Sequence, residues 1–473
     1  MLTGIISLIA YVLMAILIYR KKLSALLALP IMAVALSIIG GVPANDILTE
    51  VLGKGSLKLS TAYTTTMFGS VLADLLNRLG IAKAIVKLVA EFAGDNRFLL
   101  GLILTLITAL LFSTLGGLGA VIMVGTIILP VLLSLGITNQ TAGALFLFGI
   151  SLGGMFNMVG WQLYMDVLNI PKEQIIHFVS NFAFVSLAII IIFLAKELKD
   201  KKNILYAAIS GLIVICGFFA VNYLKTHALF YSANNQPFAS SPNQLSIESC
   251  SVILCLLIAY ALFRARYKKT DLPLIVYFTP FIALCLVLFF QWPFIPAFVA
   301  GIIYAVLASW RSDSIKVLNQ SIIEGITTVV PVIVLMIGIG MLITAVQHPS
   351  FAQNITPILQ DCIPRTKLQY IIVFTLLAPL ALYRGPLSIW GMGSGLVSLL
   401  QKAAVISSSA IMGMLMSVGQ IQGICDPTNT HNIWIASYLG TSTQALLRKT
   451  LPYAWTAVIF GLTLACGLGY LNK

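Results

Sequence analysis

Apolar stretches long enough to cross a lipid bilayer recur along almost the whole chain. Windows that reach about 18 residues with their flanks lie at residues 5–17, 23–41, 99–112, 178–195, 205–221 and 456–469. Only 9% of the residues are charged and 59% are hydrophobic, whereas soluble proteins carry roughly 25% charged residues. Alternating segments of about ten residues, which transmembrane strands need, are absent from the sequence. These features predict an all-α polytopic membrane protein.

The net charge of +13 resides in short loops between the apolar stretches, as the positive-inside rule requires. It therefore does not indicate a nucleic-acid partner. Five basic clusters fit the cytoplasmic side with consistent helix counts between them: residues 20–22, 196–202, 264–269, 311–316 and 448–449. Because no basic residue precedes the first apolar stretch, we expect an uncleaved first helix, an N-terminus outside, and an inner membrane of bacterial type.

Two parts of the chain carry the same order of segments and breaks. Gly117 and Gly385 lie 268 residues apart, as do Asn157 and Cys425, whereas the two threonine clusters described below lie 263 residues apart. The basic clusters place corresponding helices in opposite directions. We therefore predict two inverted-topology repeats, an arrangement from which many secondary transporters are built.

This interpretation divides the chain into three parts. Residues 1–202 form the first inverted repeat, residues 203–269 a two-helix connector with an external loop near 224–246, and residues 270–473 the second inverted repeat. We expect roughly 11 to 16 membrane segments. The number is a range because a re-entrant hairpin and two full crossings both return the chain to the same side of the membrane. Hairpins and broken helices are expected where glycine, proline and hydroxyl residues interrupt apolar stretches, since irregular backbone in a membrane needs protein or a wet cavity around it.

The first such break carries Ser113, Thr114, Gly116 and Gly117, followed by Gly119. Free amide groups at the start of a half-helix, with hydroxyl groups beside them, suit an anionic group. Close helix packing through small residues explains the same pattern equally well. The sequence leaves both interpretations open.

Arg384 interrupts an apolar stretch of the second repeat together with Gly385 and Pro386. A buried arginine in a membrane segment is costly, so it normally has a partner or a function. Its fork of donors matches a carboxylate, which favours substrate binding. The alternatives are an internal ion pair with Asp426 or Glu324, or a position at the membrane interface.

Asp426, Thr428 and His431 follow an apolar helix of the second repeat, and Asn157 marks the matching break of the first. A carboxylate, hydroxyls, amides and an imidazole can hold Na+ through oxygen atoms or pass a proton. We expect these four residues to serve the coupling ion, H+ or Na+, and we expect no other cofactor or metal. The alternative is turn chemistry at a helix end, with His431 as a cap.

Two threonine clusters lie inside apolar stretches, one in each repeat. Thr65 and Thr66 belong to the first cluster, and Thr327 and Thr328 form the second. Their hydroxyl groups could line a substrate cavity from both repeats. Threonine hydroxyls also bond back to their own helix, which explains the pattern without any ligand.

Three runs of sequence carry a family resemblance: GGLGAVIMVGTIILPVLLSLGI at 116–137, GIGMLITA at 338–345, and DPTNTHNIWIASYLGTSTQALLRKTLPYAW at 426–455. Together with residues 1–41 they resemble the ion transporter superfamily, nearest to the citrate symporter and gluconate permease families. The resemblance implies a secondary carrier for an organic anion, often a homodimer with separate scaffold and transport domains.

Carried over to matching positions, the resemblance points to residues 113–119, 64–66 and 384–388, which include Ser388, and to the segment around Asp426. The chain lacks a Ser-Asn-Thr signature of the kind found in dicarboxylate and citrate sodium symporters. That departure puts sodium coupling in doubt.

These observations favour a secondary active transporter that couples H+ or Na+ to symport of a small organic anion, either a carboxylate or a sugar acid, by alternating access. The alternative is a cation/proton antiporter of the same superfamily, with Asp426 as the carrier and Arg384 as its counter-charge. We expect no enzyme, since the HExxH and GxSxG motifs and paired catalytic carboxylates are absent from the sequence and its four histidines are scattered. Nothing in the sequence requires a channel.

Overall fold

The structure, a computed structural model, describes residues 2–20, 22–92, 96–198, 201–227, 244–266, 272–391, 393–403 and 406–471. Within these ranges every regular element is helical, as the sequence predicts. The external loop predicted near 224–246 lies mainly outside the described residues.

The helices follow one another in three groups along the chain. The first group is α1 (Leu2–Tyr19), α2 (Ala25–Ile39), α3 (Ala44–Asp46), α4 (Gly55–Leu57), α5 (Ser60–Arg78), α6 (Ile81–Phe92), α7 (Arg97–Phe112) and α8 (Gly117–Ser134). The second is α9 (Asn139–Met155), α10 (Met158–Leu168), α11 (Lys172–Glu197), α12 (Lys201–His227), α13 (Gln244–Arg266), α14 (Thr279–Phe290) and α15 (Phe294–Ala308). The third is α16 (Ser314–Gln347), α17 (Pro349–Cys362), α18 (Lys367–Leu377), α19 (Gly393–Ala403), α20 (Ser408–Cys425), α21 (Thr430–Tyr438) and α22 (Thr443–Gly467). A π-helix spans Ile47–Lys54, and 3-10 helices span Leu274–Phe278 and Ala378–Arg384.

Six helical stretches among the described residues are long and apolar enough to cross a membrane. They are Gly117–Ser134, Lys172–Glu197, Asn203–Ala220, Ser314–Gln347, Lys367–Arg384 and Thr443–Gly467. The count becomes seven if α9 and α10 are taken together as one broken span. These stretches support a multi-pass membrane protein.

Helices end at all four places where the sequence interrupts an apolar stretch. The breaks separate α7 from α8, α9 from α10, α18 from α19, and α20 from α21. Two of these helices begin with the same kind of cap, in which a hydroxyl accepts a hydrogen bond from an amide three residues later. Thr138 accepts from Thr141 N before α9, and Ser407 accepts from Ala410 N before α20.

The chain divides into two compact units. The first unit comprises Met1–Thr66, Val159–Phe182 and Val330–Lys473, and the second comprises Met67–Met158 and Ala183–Val329. Each unit is therefore assembled from segments far apart in sequence. This division is interleaved, and it does not test the predicted repeat boundaries.

In the first unit, α20 and α22 approach through small residues, as membrane helices often do. A Cβ added to Gly461 would lie 2.3 Å from Ser417 Oγ, and one added to Gly413 would lie 2.8 Å from Ala465 Cβ. The hydroxyl of Tyr370, which is fully buried, donates to Ala410 O at 2.7 Å. These contacts fix α20, which ends at one of the four breaks.

In the second unit, α7 and α9 make the equivalent kind of close contact. A Cβ added to Gly153 would lie 2.3 Å from Ala109 O, and one added to Gly149 would lie 2.6 Å from Thr108 Cβ. By contrast, α12 and α13 expose large apolar side chains, among them Leu212 (61%) and Leu256 (65%). Lipid is the solvent that suits such side chains.

Candidate functional site

In the first unit, the break between α18 and α19 is a tight turn with unusual backbone angles. The helical path stops at Leu382, whose ψ is 155°, and Tyr383 and Arg384 then have φ values of +58° and +54°. The backbone of each of these two residues is in the left-handed region, which costs about 1–2 kcal/mol for a residue other than glycine. Other contacts must therefore hold this turn in place.

Three glycines allow the turn to fold back on itself. A Cβ added to Gly385 would lie 2.2 Å from Leu380 O, one added to Gly391 would lie 2.4 Å from Arg384 O, and one added to Gly393 would lie 2.5 Å from Ser388 O. No other residue type fits at such distances. The segment from 384 to 391 is therefore compact backbone with little room to rearrange internally.

The carboxylate of Asp426 is fully buried at the break between α20 and α21. Its Oδ1 accepts hydrogen bonds from Thr428 N at 2.9 Å and Thr428 Oγ1 at 2.6 Å. Its Oδ2 accepts from the main-chain amide of Tyr383 at 2.8 Å. The side chain of Asp426 thus stabilises the turn between α20 and α21. It also holds the strained residue Tyr383 at the break between α18 and α19.

The α20 helix ends with carbonyl groups that lack helical partners, as every helix does. Side chains from the start of α21 satisfy them: Asn429 Nδ2 donates to Gln422 O at 2.7 Å, and Asn432 Nδ2 donates to Ile424 O at 3.0 Å. His431 Nε2 lies 3.1 Å from Gly423 O. His431 therefore has the capping contact that the sequence offered as its alternative role.

A second side-chain contact joins the two breaks of this unit. Ser388 Oγ donates to Gln422 Oε1 at 2.6 Å, and both residues are buried. Ser388 therefore binds protein in this structure. Its hydroxyl oxygen keeps acceptor capacity for a further partner.

Arg384 is half-buried and does not form the ion pairs that the sequence offered as alternatives. Within the described residues its guanidinium makes one hydrogen bond, from Nη1 to Trp390 O at 3.5 Å. Glu324 instead pairs with Arg78, which also binds Asp74 at 2.5 Å. Since a guanidinium carries five N–H donors, most of the donors of Arg384 lack a protein partner in the part of the chain described.

Thr65 and Thr66 lie near the start of α5 in the first unit, and both are buried. Thr66 Oγ1 donates to Ala62 O at 2.8 Å, whereas Thr65 Oγ1 has no hydrogen-bond partner among the described residues. Asp166 anchors the same helix start, because its Oδ2 accepts from Ala62 N at 3.1 Å and its Oδ1 accepts from Gln162 Nε2 at 2.7 Å.

In the second unit, the glycines between α7 and α8 do not pack against a neighbouring helix. A Cβ added to Gly116, Gly117 or Gly119 would meet no atom within 4 Å, and these residues are exposed. Within the part of the chain described, these glycines therefore do not make the close helix contact that the alternative interpretation requires. The space that side chains at these positions would occupy is open.

The hydroxyls at this break bond to their own helix. Ser113 Oγ donates to Leu110 O at 2.7 Å, and Thr114 Oγ1 donates to Leu111 O at 3.2 Å. Asn157 Nδ2 reaches the same place, at 3.4 Å from Phe112 O and 3.3 Å from Leu115 O. Asn157 thus ties the second break of this unit to the first.

Thr327 and Thr328 also belong to the second unit, and both are exposed on α16. Their hydroxyls donate to Ile323 O at 2.8 Å and to Gly325 O at 2.7 Å. This is the back-bonding that explains threonine in a helix without any ligand.

Sequence reasoning missed Tyr383 and Gln422 as members of this site, whereas Asn429 and Asn432 supply the amides that it expected beside Asp426. Gln422 had a signal, since an amide inside an apolar helix needs partners. Tyr383 had none, because it contributes a main-chain amide that any residue but proline carries. Asn432 Oδ1 is buried and has no hydrogen-bond partner among the described residues, which leaves an oxygen acceptor at the α20–α21 break.

The described residues contain no group of three or more His, Cys, Asp or Glu side chains that could hold a metal ion. A site for Na+ here would have to use amide, hydroxyl and carbonyl oxygens beside the single carboxylate of Asp426.

The fold is similar to that of a solved transporter. The crystal structure of the Alcanivorax borkumensis YdaH transporter matches with a TM-score of 0.55 and 14% sequence identity, over 97% of this chain and 100% of that chain. Neither a protein-family model nor a curated protein sequence matches the chain. The likeness gives this chain the fold of a membrane transporter and does not extend to the citrate or gluconate permease families specifically.

Proposed function

We propose that this protein is a secondary active transporter that couples H+ or Na+ to symport of a small organic anion, a carboxylate or a sugar acid. The observation that carries the proposal is the burial and hydrogen bonding of Arg384. It lies at the end of a candidate span, Lys367–Arg384, and it is half-buried with a single long hydrogen bond within the described residues.

The geometry of the break suits an anion. A guanidinium with unused donors binds a carboxylate through two parallel hydrogen bonds. The carboxylate of Asp426 binds Tyr383 and Thr428 and makes no ion pair with Arg384 in the described structure, so the donors of Arg384 are available to a ligand. Gly385 and Ser388 belong to the same turn as Arg384 and are proposed to contact the anion with it. In the second unit, the amides at the start of α8 are proposed separately as a contact for an anionic group.

The proposed coupling-ion residues of this unit are Asp426, Thr428 and His431, together with the amide oxygen of Asn432. Asp426 supplies the charge, while Thr428 Oγ1 and the unpartnered Asn432 Oδ1 supply neutral oxygens. Hard cations prefer such oxygen ligands. Asn157 of the second unit remains a proposed member of the ion-binding set.

The test is uptake of labelled citrate, gluconate and succinate into vesicles that contain the purified protein, under an imposed pH or sodium gradient. We expect one of the gradients to drive uptake, and Arg384→Ala to reduce uptake at least about 100-fold, since lost charge-assisted bonds to a carboxylate cost roughly 3 kcal/mol. Arg448→Ala is the control, because Arg448 is an exposed arginine of the same unit.

Uptake that survives in Arg384→Ala would contradict the assignment of this arginine. If no anion enters and sodium instead drives proton movement, the symport proposal fails. The alternative, a cation/proton antiporter with Asp426 as carrier, would then take its place.

A further inference from the structure

The turn that carries Arg384 is attached to the end of α20 at two points. At one side, the amide of Tyr383 donates to Asp426 Oδ2 at 2.8 Å. At the other side, Ser388 Oγ donates to Gln422 Oε1 at 2.6 Å. The two acceptors lie one helical turn apart on α20 and its C-cap, so a single helix end holds both sides of the turn.

Gln422 belongs to the α20–α21 break as well as to the turn. Its main-chain oxygen accepts from Asn429 Nδ2 at 2.7 Å and from Asp426 N at 3.4 Å. Its side chain points the other way, to Ser388. A displacement of the carbonyl end of α20 therefore moves the acceptor that Ser388 uses.

The turn itself cannot absorb such a displacement locally. Tyr383 and Arg384 are already in the left-handed region, and Gly391 lies so close to Arg384 O that a Cβ there would be 2.4 Å away. Closely packed backbone of this kind moves as one piece. The guanidinium of Arg384 would move with it.

Resting on the proposed function, we propose that Gln422 is a positioning residue that couples the two binding events. Occupation of the α20–α21 break by the driving ion fixes the carbonyl end of α20. Gln422 and the Tyr383 amide then hold the turn so that Arg384 faces the anion. By reciprocity, a bound anion raises the affinity for the ion by the same factor.

The experiment compares wild type with Gln422→Leu, which keeps the size of the side chain but removes the acceptor, and with Gln422→Glu, which keeps an acceptor oxygen. Gln420→Leu is the matched control, because Gln420 is a buried glutamine of the same helix and donates to Met416 O within it. The readout is the KM for labelled citrate, gluconate or succinate, at low and high concentration of the driving ion, in vesicles.

In wild type, Gln422→Glu and Gln420→Leu, we expect high ion concentration to lower the KM about tenfold. In Gln422→Leu the KM should become nearly independent of the ion. Hydrogen exchange of amides 385–391 should also rise in Gln422→Leu alone.

A KM in Gln422→Leu that still responds to the ion as in wild type would overturn the coupling role and leave the transport function standing. So would unchanged exchange of amides 385–391 in that variant. Absence of anion uptake by wild type is the separate outcome that overturns the proposed function itself, together with the coupling that rests on it.

Discussion

At the scale of single residues, the sequence indicated the candidate site through charged side chains within apolar regions. Arg384 and Asp426 could be singled out because each interrupts an otherwise apolar region. The link between them could not be predicted, since Asp426 accepts from the main chain of Tyr383 and not from the guanidinium. No side-chain pattern encodes two consecutive left-handed residues at Tyr383 and Arg384.

Gly391→Ala should destabilise the protein, because the new Cβ would lie 2.4 Å from Arg384 O. We expect a loss of about 1–3 kcal/mol in the free energy of unfolding, measured by denaturant unfolding of the purified protein. Gly419→Ala is the control, since a Cβ on this α20 glycine meets no atom within 4 Å, and alanine favours a helix by about 1 kcal/mol. Equal stability of the two variants would contradict the described turn.

At the scale of elements, the helix breaks were predictable and their packing was not. Glycine, proline and polar residues interrupt long apolar runs, and helices end at each of the four interruptions. For the break at Gly117 the sequence left anion binding and helix packing open, because a small residue serves both. Only the open space around Gly116 and Gly117 excludes packing there. The π-helix over Ile47–Lys54 has no counterpart in the sequence analysis.

Substitution by alanine should lower stability at one glycine of α9 and leave it unchanged at the neighbouring one. In Gly153→Ala the added Cβ would lie 2.3 Å from Ala109 O of α7, so we expect α7 and α9 to be forced apart, at a cost of about 2–4 kcal/mol. Gly154→Ala meets no atom within 4 Å and should leave stability unchanged within about 0.5 kcal/mol. The melting temperature in detergent distinguishes the two, and a tolerated Gly153→Ala would argue against this helix contact.

At the scale of the whole molecule, composition was sufficient for the class of protein. A chain with 9% charged residues has to place its helices in lipid, and every regular element among the described residues is helical. The division into units was beyond sequence reasoning, because contacts between distant segments decide it. The predicted repeat boundaries at 202 and 270 follow sequence order, whereas the first unit combines residues from the beginning, the middle and the end.

The basic clusters predict the membrane side of each span. Arg448 and Lys449 lie near the start of α22 and are expected in the cytoplasm, so the other end of this helix should face outside. Alkaline phosphatase fused after Lys473 should therefore be active in intact cells. A fusion after Leu198, which follows the end of α11, should be inactive. The reverse pattern would overturn the predicted orientation.

The interleaved division has a consequence for biogenesis. Residues up to Thr66 enter the membrane early, yet the partners that complete their unit begin at Val330. At about 5–20 residues per second, synthesis of the intervening chain takes on the order of tens of seconds. Val159–Phe182 is made within this interval, but the early helices still lack the segment from Val330 to Lys473, which is the longest of their unit. A pause or truncation after Val329 should therefore leave an insertion intermediate that membrane proteases remove.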